Sequence, residues 1–264
     1  MKQKEESAMK IKVILLAVML LAATALAQRV PQMSPRAPQA VPGGDSTYFG
    51  KSYGEWSAAW WQWALALPAT EHPLFDTADC STAQSGHVWF LGGKFCAATS
   101  VTGGCADPMT VKQVRSCIIK PGTALFFPIL NDDDSIIEEL PYNPNVTEMD
   151  LRVNAKAWEN PTQSGFMVAG TLDGKPLSPV RICTKGDFCT PQQSPAIPFT
   201  LAAHDNLFTA VGEIGITDGA SSIAISDGYY VLLPPLPVGQ HTIHFYGLSG
   251  LYSLDMTYNI TVVP

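Results

Sequence analysis

The chain has 264 residues, 46% hydrophobic and 15% charged, with 16 basic against 23 acidic side chains and a net charge of −7. That balance repels a phosphate backbone and argues against nucleic acid as the main partner. With 21 glycines and 21 prolines, the composition suits many short strands and turns rather than long helices.

Residues 1–27 read as a secretory signal: Lys10 and Lys12, an apolar run from Val13 to Leu21, then Ala25-Leu26-Ala27 as a small-residue cleavage site. The run is too short for a comfortable membrane span, so no stable span is expected after cleavage. Met9 offers an alternative start, and no cysteine stands at the cut to take a lipid. Residues 1–27 carry four lysines and two glutamates, so their removal leaves 12 basic and 21 acidic residues, net −9. Residues 28–47 are Pro-rich and aperiodic, a solvated tether. Residues 48–264 are expected to form a single β-rich domain in a secreted or periplasmic protein.

The first folded element is a helix from Ser52 to Pro68. Ser52 and Glu55 form a capping box, and Trp56, Trp60, Trp63 and Leu67 recur at helical spacing. So large an apolar stripe must dock against the rest of the chain. His87-Val88-Trp89-Phe90-Leu91 reads as a short buried strand. Residues Gly92 to Pro108, rich in Gly, Ala and Cys, read as an excursion. Arg115 to Leu130 reads as a hairpin around a Pro121-Gly122 type II turn, with Pro128 limiting its second strand to an edge or a bulge. Asn131 to Asn145 is an acidic, turn-rich loop. A second helix is capped by Thr147 and Asp150, with Leu151, Ala155 and Trp158 on one face, and stops at Asn160-Pro161. Gly165 to Leu177 turns at Asp173-Gly174, with a partner strand running to Thr184. The last third reads as β throughout: Tyr229 to Leu233, a Pro-rich turn, a return strand from His241 to Tyr246, and a final strand with Leu254, Met256, Tyr258, Ile260 and Val262 on its core face.

Six cysteines in an exported chain predict disulfides, with fifteen pairings open. Spacing favours Cys96 with Cys105 and Cys183 with Cys189 as local clips, and Cys80 with Cys117 bracketing the first. No C-x-x-C is present for redox work.

Tyr53-Gly54-Glu55-Trp56 with Trp60-Trp61-Gln62-Trp63, Gln84-Ser85-Gly86, Pro121-Gly122, Asp227-Gly228-Tyr229 and Gly239-Gln240-His241-Thr242-Ile243 resemble motifs of an uncharacterised family of exported bacterial proteins. The resemblance runs from Tyr53 to the C-terminus. It implies a β-rich C-terminal half, no established activity and no catalytic residues. Cys96, Cys105, Cys183 and Cys189 look like additions to the shared pattern.

The fold class that follows is α+β, mainly β: an antiparallel sandwich with a packed Trp-rich helix and a second helix. Trp61 lies off the main stripe, on the side shared with Leu65. If exposed it would be a stacking platform for a sugar ring, and otherwise the helix is buried on both sides. Asp132 and Asp134, in the run Asn131-Asp132-Asp133-Asp134 near Glu138 and Glu139, could supply oxygens to a ligand or to Ca²⁺, although the order does not match an EF-hand. No other cofactor and no metal motif is indicated. His241 and His244 point to opposite faces of one strand and cannot share a metal. Three functions are consistent with this: a non-enzymatic module binding a glycan or another cell-surface component through Trp61, Asp132 and Asp134; a polysaccharide hydrolase using carboxylates among Asp76, Asp132, Asp133, Asp134 and Glu138; and a structural envelope protein.

Overall fold

Phe126 and Phe127 are neighbours in sequence and both are fully buried, which a strand allows only when both of its faces are covered. The whole architecture follows from that double burial. The computed structural model describes residues 39–40, 47–98, 104–156, 165–177 and 191–264, and the backbone of 183–184.

Helix α1 (Tyr53–Ala66) opens on the expected capping box, in which Glu55 N–H donates to Ser52 Oγ and Ser52 N–H to Glu55 Oε2. Two 3₁₀ turns, Ala69–Glu71 and Pro73–Phe75, lead to β1 (Val88–Phe90), β2 (Thr110–Ile119) and β3 (Ala124–Ser135). Short helices α2 (Ile136–Glu139) and α3 (Glu148–Asn154) follow, the latter with the Thr147/Asp150 capping box. Then come β4 (Met167–Leu172), β5 (Lys175–Pro176), β6 (Cys183–Thr184), β7 (Ile197–Thr200) and helix α4 (Leu207–Val211). Strands β8 (Ser221–Leu233), β9 (Gly239–Ser249) and β10 (Tyr252–Val262) complete the chain.

These form three layers. One sheet has the order β1-β3-β8-β7, and the other has the order β2-β10-β9-β4-β5 with β6 also on β4. Leu125, Phe127, Val231 and Leu233 pack with Phe245, Met256 and Tyr258 between the sheets. Phe126, Tyr230 and Leu232 point the other way, into the tryptophans of α1. Phe126 stacks on Tyr230 at 5.4 Å and Phe127 on Phe245 at 4.9 Å, one pair in each interlayer space. The mainly-β, α+β class holds. Most ladders are antiparallel, but β1 runs parallel to β3 and β2 parallel to β10.

Two expected hairpins are arches instead. The Pro121-Gly122 turn forms, with Gly122 at φ 83° and Thr123 N–H donating to Lys120 O. Its flanking strands, however, enter different sheets: β2 pairs with β10 and β3 with β8. The Pro-rich link from β8 to β9 likewise crosses between sheets, with Leu236 buried in the inter-sheet core. The reason lies in β3 and β8, which need apolar neighbours on both faces and so occupy the middle layer, whereas β2 alternates and suits an outer one. Helix α4 interrupts a region expected to be strand throughout. The acidic run Asn131 to Asp134 is the end of β3, laddered to β8, rather than a loop.

Cys80–Cys117 and Cys96–Cys105 are bonded as expected, with Cα separations of 5.9 and 5.2 Å. The Cys183–Cys189 pairing, the signal segment and Trp158 lie outside the described residues. Of the expected tether, Ala40 is buried against the inter-sheet core.

Candidate functional site

Pro128 cannot donate to a ladder, and the pairing of β3 with β8 slips by one residue between Pro128 and Leu130. This β-bulge turns both Ile129 and Leu130 toward the inter-sheet core and re-aims the polar residues that follow. Gly228 and Gly247 make the room: a Cβ at Gly228 would lie 2.8 Å from Leu130 O, and one at Gly247 would lie 3.1 Å from Ile129 O.

Beside the bulge the three layers leave a cavity of about 250 Å³. Helix α1 contributes Trp60 and Trp61, the segment after β1 contributes Gly93, Lys94 and Phe95, and β3 contributes Pro128 to Asp132. The tip of the β9–β10 hairpin closes it with Ser249, Tyr252 and Leu254. Leu74 completes an apolar wall. Trp61 and Asp132, singled out separately in the sequence, therefore share one concave surface.

Trp61 is not an exposed platform. It is 5% exposed, edge-on to Trp60 at 4.9 Å and tilted against Phe95, so α1 is buried on both sides. Trp56 Nε1 donates to Tyr48 O and Trp60 Nε1 to Leu91 O at 2.7 Å, while Nε1 of Trp61 and of Trp63 finds no acceptor among the described residues. Asp134 is buried and stands off the cavity wall.

The carboxylates behind the wall are crowded and short of cations. Burial, with the charge of Asp134 adding to it, pushes Asp132 up to about 7 against the pull of the Asp133 amide. Burial first, then neighbouring charge, raises Glu138 to about 8 although Ser135 Oγ donates to it at 2.6 Å. Burial also raises Asp134 to about 6, and Asp133 sits well above its ordinary value because burial is compounded by Glu138, Asp132 and Asp134. Among the described residues, no three His, Cys, Asp or Glu side chains are placed to hold a metal ion.

Asp76 belongs to a different construction. It accepts from Arg115 Nε at 2.6 Å and pairs with Lys94 Nζ at 2.9 Å. Arg115 also donates to the carbonyls of Leu74, Gly92 and Gly93 and to Tyr258 Oη. That knot pins the cavity's apolar flank onto β10. Among the described residues, the lining therefore offers one carboxyl, Asp132, and one ammonium already engaged, Lys94.

Sequence reasoning reached Asn131 only as part of the acidic run, and it passed over Phe95, Ser249 and Tyr252; burial pushes the Tyr252 hydroxyl up to about 12. Only the polar run carried a signal for Asn131. For the others, the sequence shows a Gly-rich excursion and a hairpin tip, and neither feature marks a cavity. Among the described residues, no helix is long and apolar enough to cross a membrane. No family model, no curated protein and no solved structure matches the chain.

Proposed function

We propose that the protein is an exported, non-enzymatic binding module that holds a single ring or end group of a glycan or another cell-surface component in the cavity between α1, the β3 bulge and the β9–β10 tip. The observation that carries this reading is the convergence of Trp61 and Asp132 on one wall. Aromatic and aliphatic surface with a few placed polar groups is the usual make-up of a small-ligand site. At about 250 Å³ the space lies just under the roughly 300–1,000 Å³ of drug-sized pockets, which suits one ring rather than a chain. The two disulfides fit maturation in an oxidising compartment, in keeping with export.

A hydrolase reading draws on the raised carboxyls, since perturbed acids gather at catalytic sites. Glycoside hydrolysis by the common route needs a second carboxyl across the groove from the first. Asp133, Asp134 and Glu138 do not line the cavity, and Asp76 is bound to Arg115 and Lys94. Binding is the better supported of the two. A glycan array probed with the mature chain tests it: selective retention is expected, and Asp132→Ala should weaken it about tenfold or more without lowering thermal stability. An array with no retained glycan removes the reading.

A further inference from the structure

Strand β2 stands at the edge of its sheet, and for an edge it is long. It has 10 residues, against 3, 4 and 2 in β1, β7 and β5, the other strands that end the two sheet orders. Native edges are usually kept short, bulged or broken by proline, because a row of unpaired N–H and C=O groups recruits other chains. β2 holds no proline, and it follows β10 without a slip from Thr110 to Ile119.

The ladder shows which groups are left over. Ser253 N–H donates to Met109 O and Val263 N–H to Ile119 O, one at each end of the parallel pairing, so the odd-numbered residues of β2 serve β10. The N–H and C=O groups of Thr110, Lys112, Val114, Ser116 and Ile118 therefore point away from the sheet. Thr110 N–H turns back to Asp107 O, and among the described residues the amides of the other four meet no acceptor. Ser116 O lies 3.9 Å from Cys80 Sγ, which as half of a disulfide has no proton to give. The same row carries exposed apolar side chains, Val114 at 57% and Ile118 at 66%.

This row is complementary to its own inverse. Antiparallel pairing of two copies about Val114 sets Val114 on Val114, Lys112 on Ser116 and Thr110 on Ile118, each a pair that exchanges both of its hydrogen bonds. That register also brings Lys120 of one copy beside Asp107 of the other, at both ends of the junction, and both side chains are exposed. Lys112, the one charge within the row, is joined to Asp255 at 3.1 Å and meets a serine rather than its own copy.

We propose that the mature chain associates with a second copy of itself through β2, the two strands pairing antiparallel about Val114 and joining two outer sheets into one. Such an interface is isologous and closes on itself as a two-fold dimer. No residue of β2 lines the cavity, so the proposal stands apart from the glycan reading.

Sedimentation equilibrium of the mature chain tests this, and a concentration-dependent dimer is expected. Val114→Pro removes an edge-facing N–H and no bond to β10, at a kind of position where strands accept proline. It should weaken the dimer about tenfold or more with the far-ultraviolet circular dichroism unchanged. Val114→Cys should give a disulfide-linked dimer in air, because the Cα atoms of such a pair lie about 5.5 Å apart, within the span of a disulfide. Lys112→Cys should not, since its two copies would stand about 13 Å apart along the junction. A monomer at every concentration overturns the proposal in favour of an extended segment of another protein. A dimer that Val114→Pro leaves intact, or that Lys112→Cys cross-links as readily as Val114→Cys, overturns it as well.

Discussion

Arg115 and Asp76, 39 positions apart, are joined by a 2.6 Å hydrogen bond at the foot of the cavity's apolar flank. The guanidinium lies 5.5 Å from the Tyr258 ring and spends its remaining donors on three backbone carbonyls and the Tyr258 hydroxyl. Replacing Arg115 by Met strands these acceptors and leaves Asp76 with Lys94 alone. Breaking a buried pair in this way costs about 3–5 kcal/mol. Urea denaturation of Arg115→Met should show a loss of that size, and a loss below about 1 kcal/mol would show that the knot is dispensable.

Stability should fall as pH rises through neutrality. Asp132, Asp134 and Glu138 have folded-state values raised to about 7, 6 and 8, and Asp133 is raised further. Their contribution is fully present below the ordinary carboxyl range near 4 and is lost as pH climbs through these folded values. His72 acts in the opposite sense. Burial lowers it to about 4, so protonation of the unfolded chain below about 6.5 erodes stability as pH falls. From about pH 4 upward four carboxyls outweigh one imidazole, so the maximum lies near the ordinary carboxyl range at about pH 4–5 and stability falls from there toward pH 8. Thermal melts across that range check it, and Glu138→Gln should flatten the alkaline limb.

Gly54 stands in the first turn of α1, where helix propensity alone favours Ala by about 1 kcal/mol. A Cβ there would collide with the backbone carbonyl oxygen of Gln193. Gly54→Ala is therefore expected to destabilise by about 1–3 kcal/mol, the usual cost of overpacking. A melt showing stabilisation would mean that the Gln193 segment yields freely.

The Cys80–Cys117 bond closes a span of 37 residues, from the segment after the 3₁₀ turns to β2. On chain entropy a loop of that size is worth about 4 kcal/mol. The Cys80→Ala/Cys117→Ala double variant should lose about 2–4 kcal/mol in guanidinium unfolding, and Cys96→Ala/Cys105→Ala, closing 9 residues, should lose less.

Local chemistry was legible where it is decided locally. Ser52/Glu55 and Thr147/Asp150 cap their helices as their spacing implies, and the core face of β10 is the one that alternation marks. The partner of each strand was not legible. A Pro-Gly turn fits an arch as well as a hairpin, and only the double-sided burial of Phe126 and Phe127 separates the two. The same gap hid the site. Trp61 and Asp132 could be singled out by residue type, but their shared cavity depends on a one-residue slip at Pro128 and on Tyr252 and Leu254, more than 100 positions downstream. The raised carboxyls were missed because an acidic run reads as solvated until β8 is seen beside it.

Among the described residues, β2 has β10 as its one ladder partner. Every residue from Thr110 to Ile119 therefore waits, during synthesis, for a stretch made about 140 positions later. Until Tyr252–Val262 arrives, an alternating strand with one greasy side stands open to any passing chain, and such late closure slows folding. The outer sheet therefore cannot close along β2 before its eleven-residue partner strand exists.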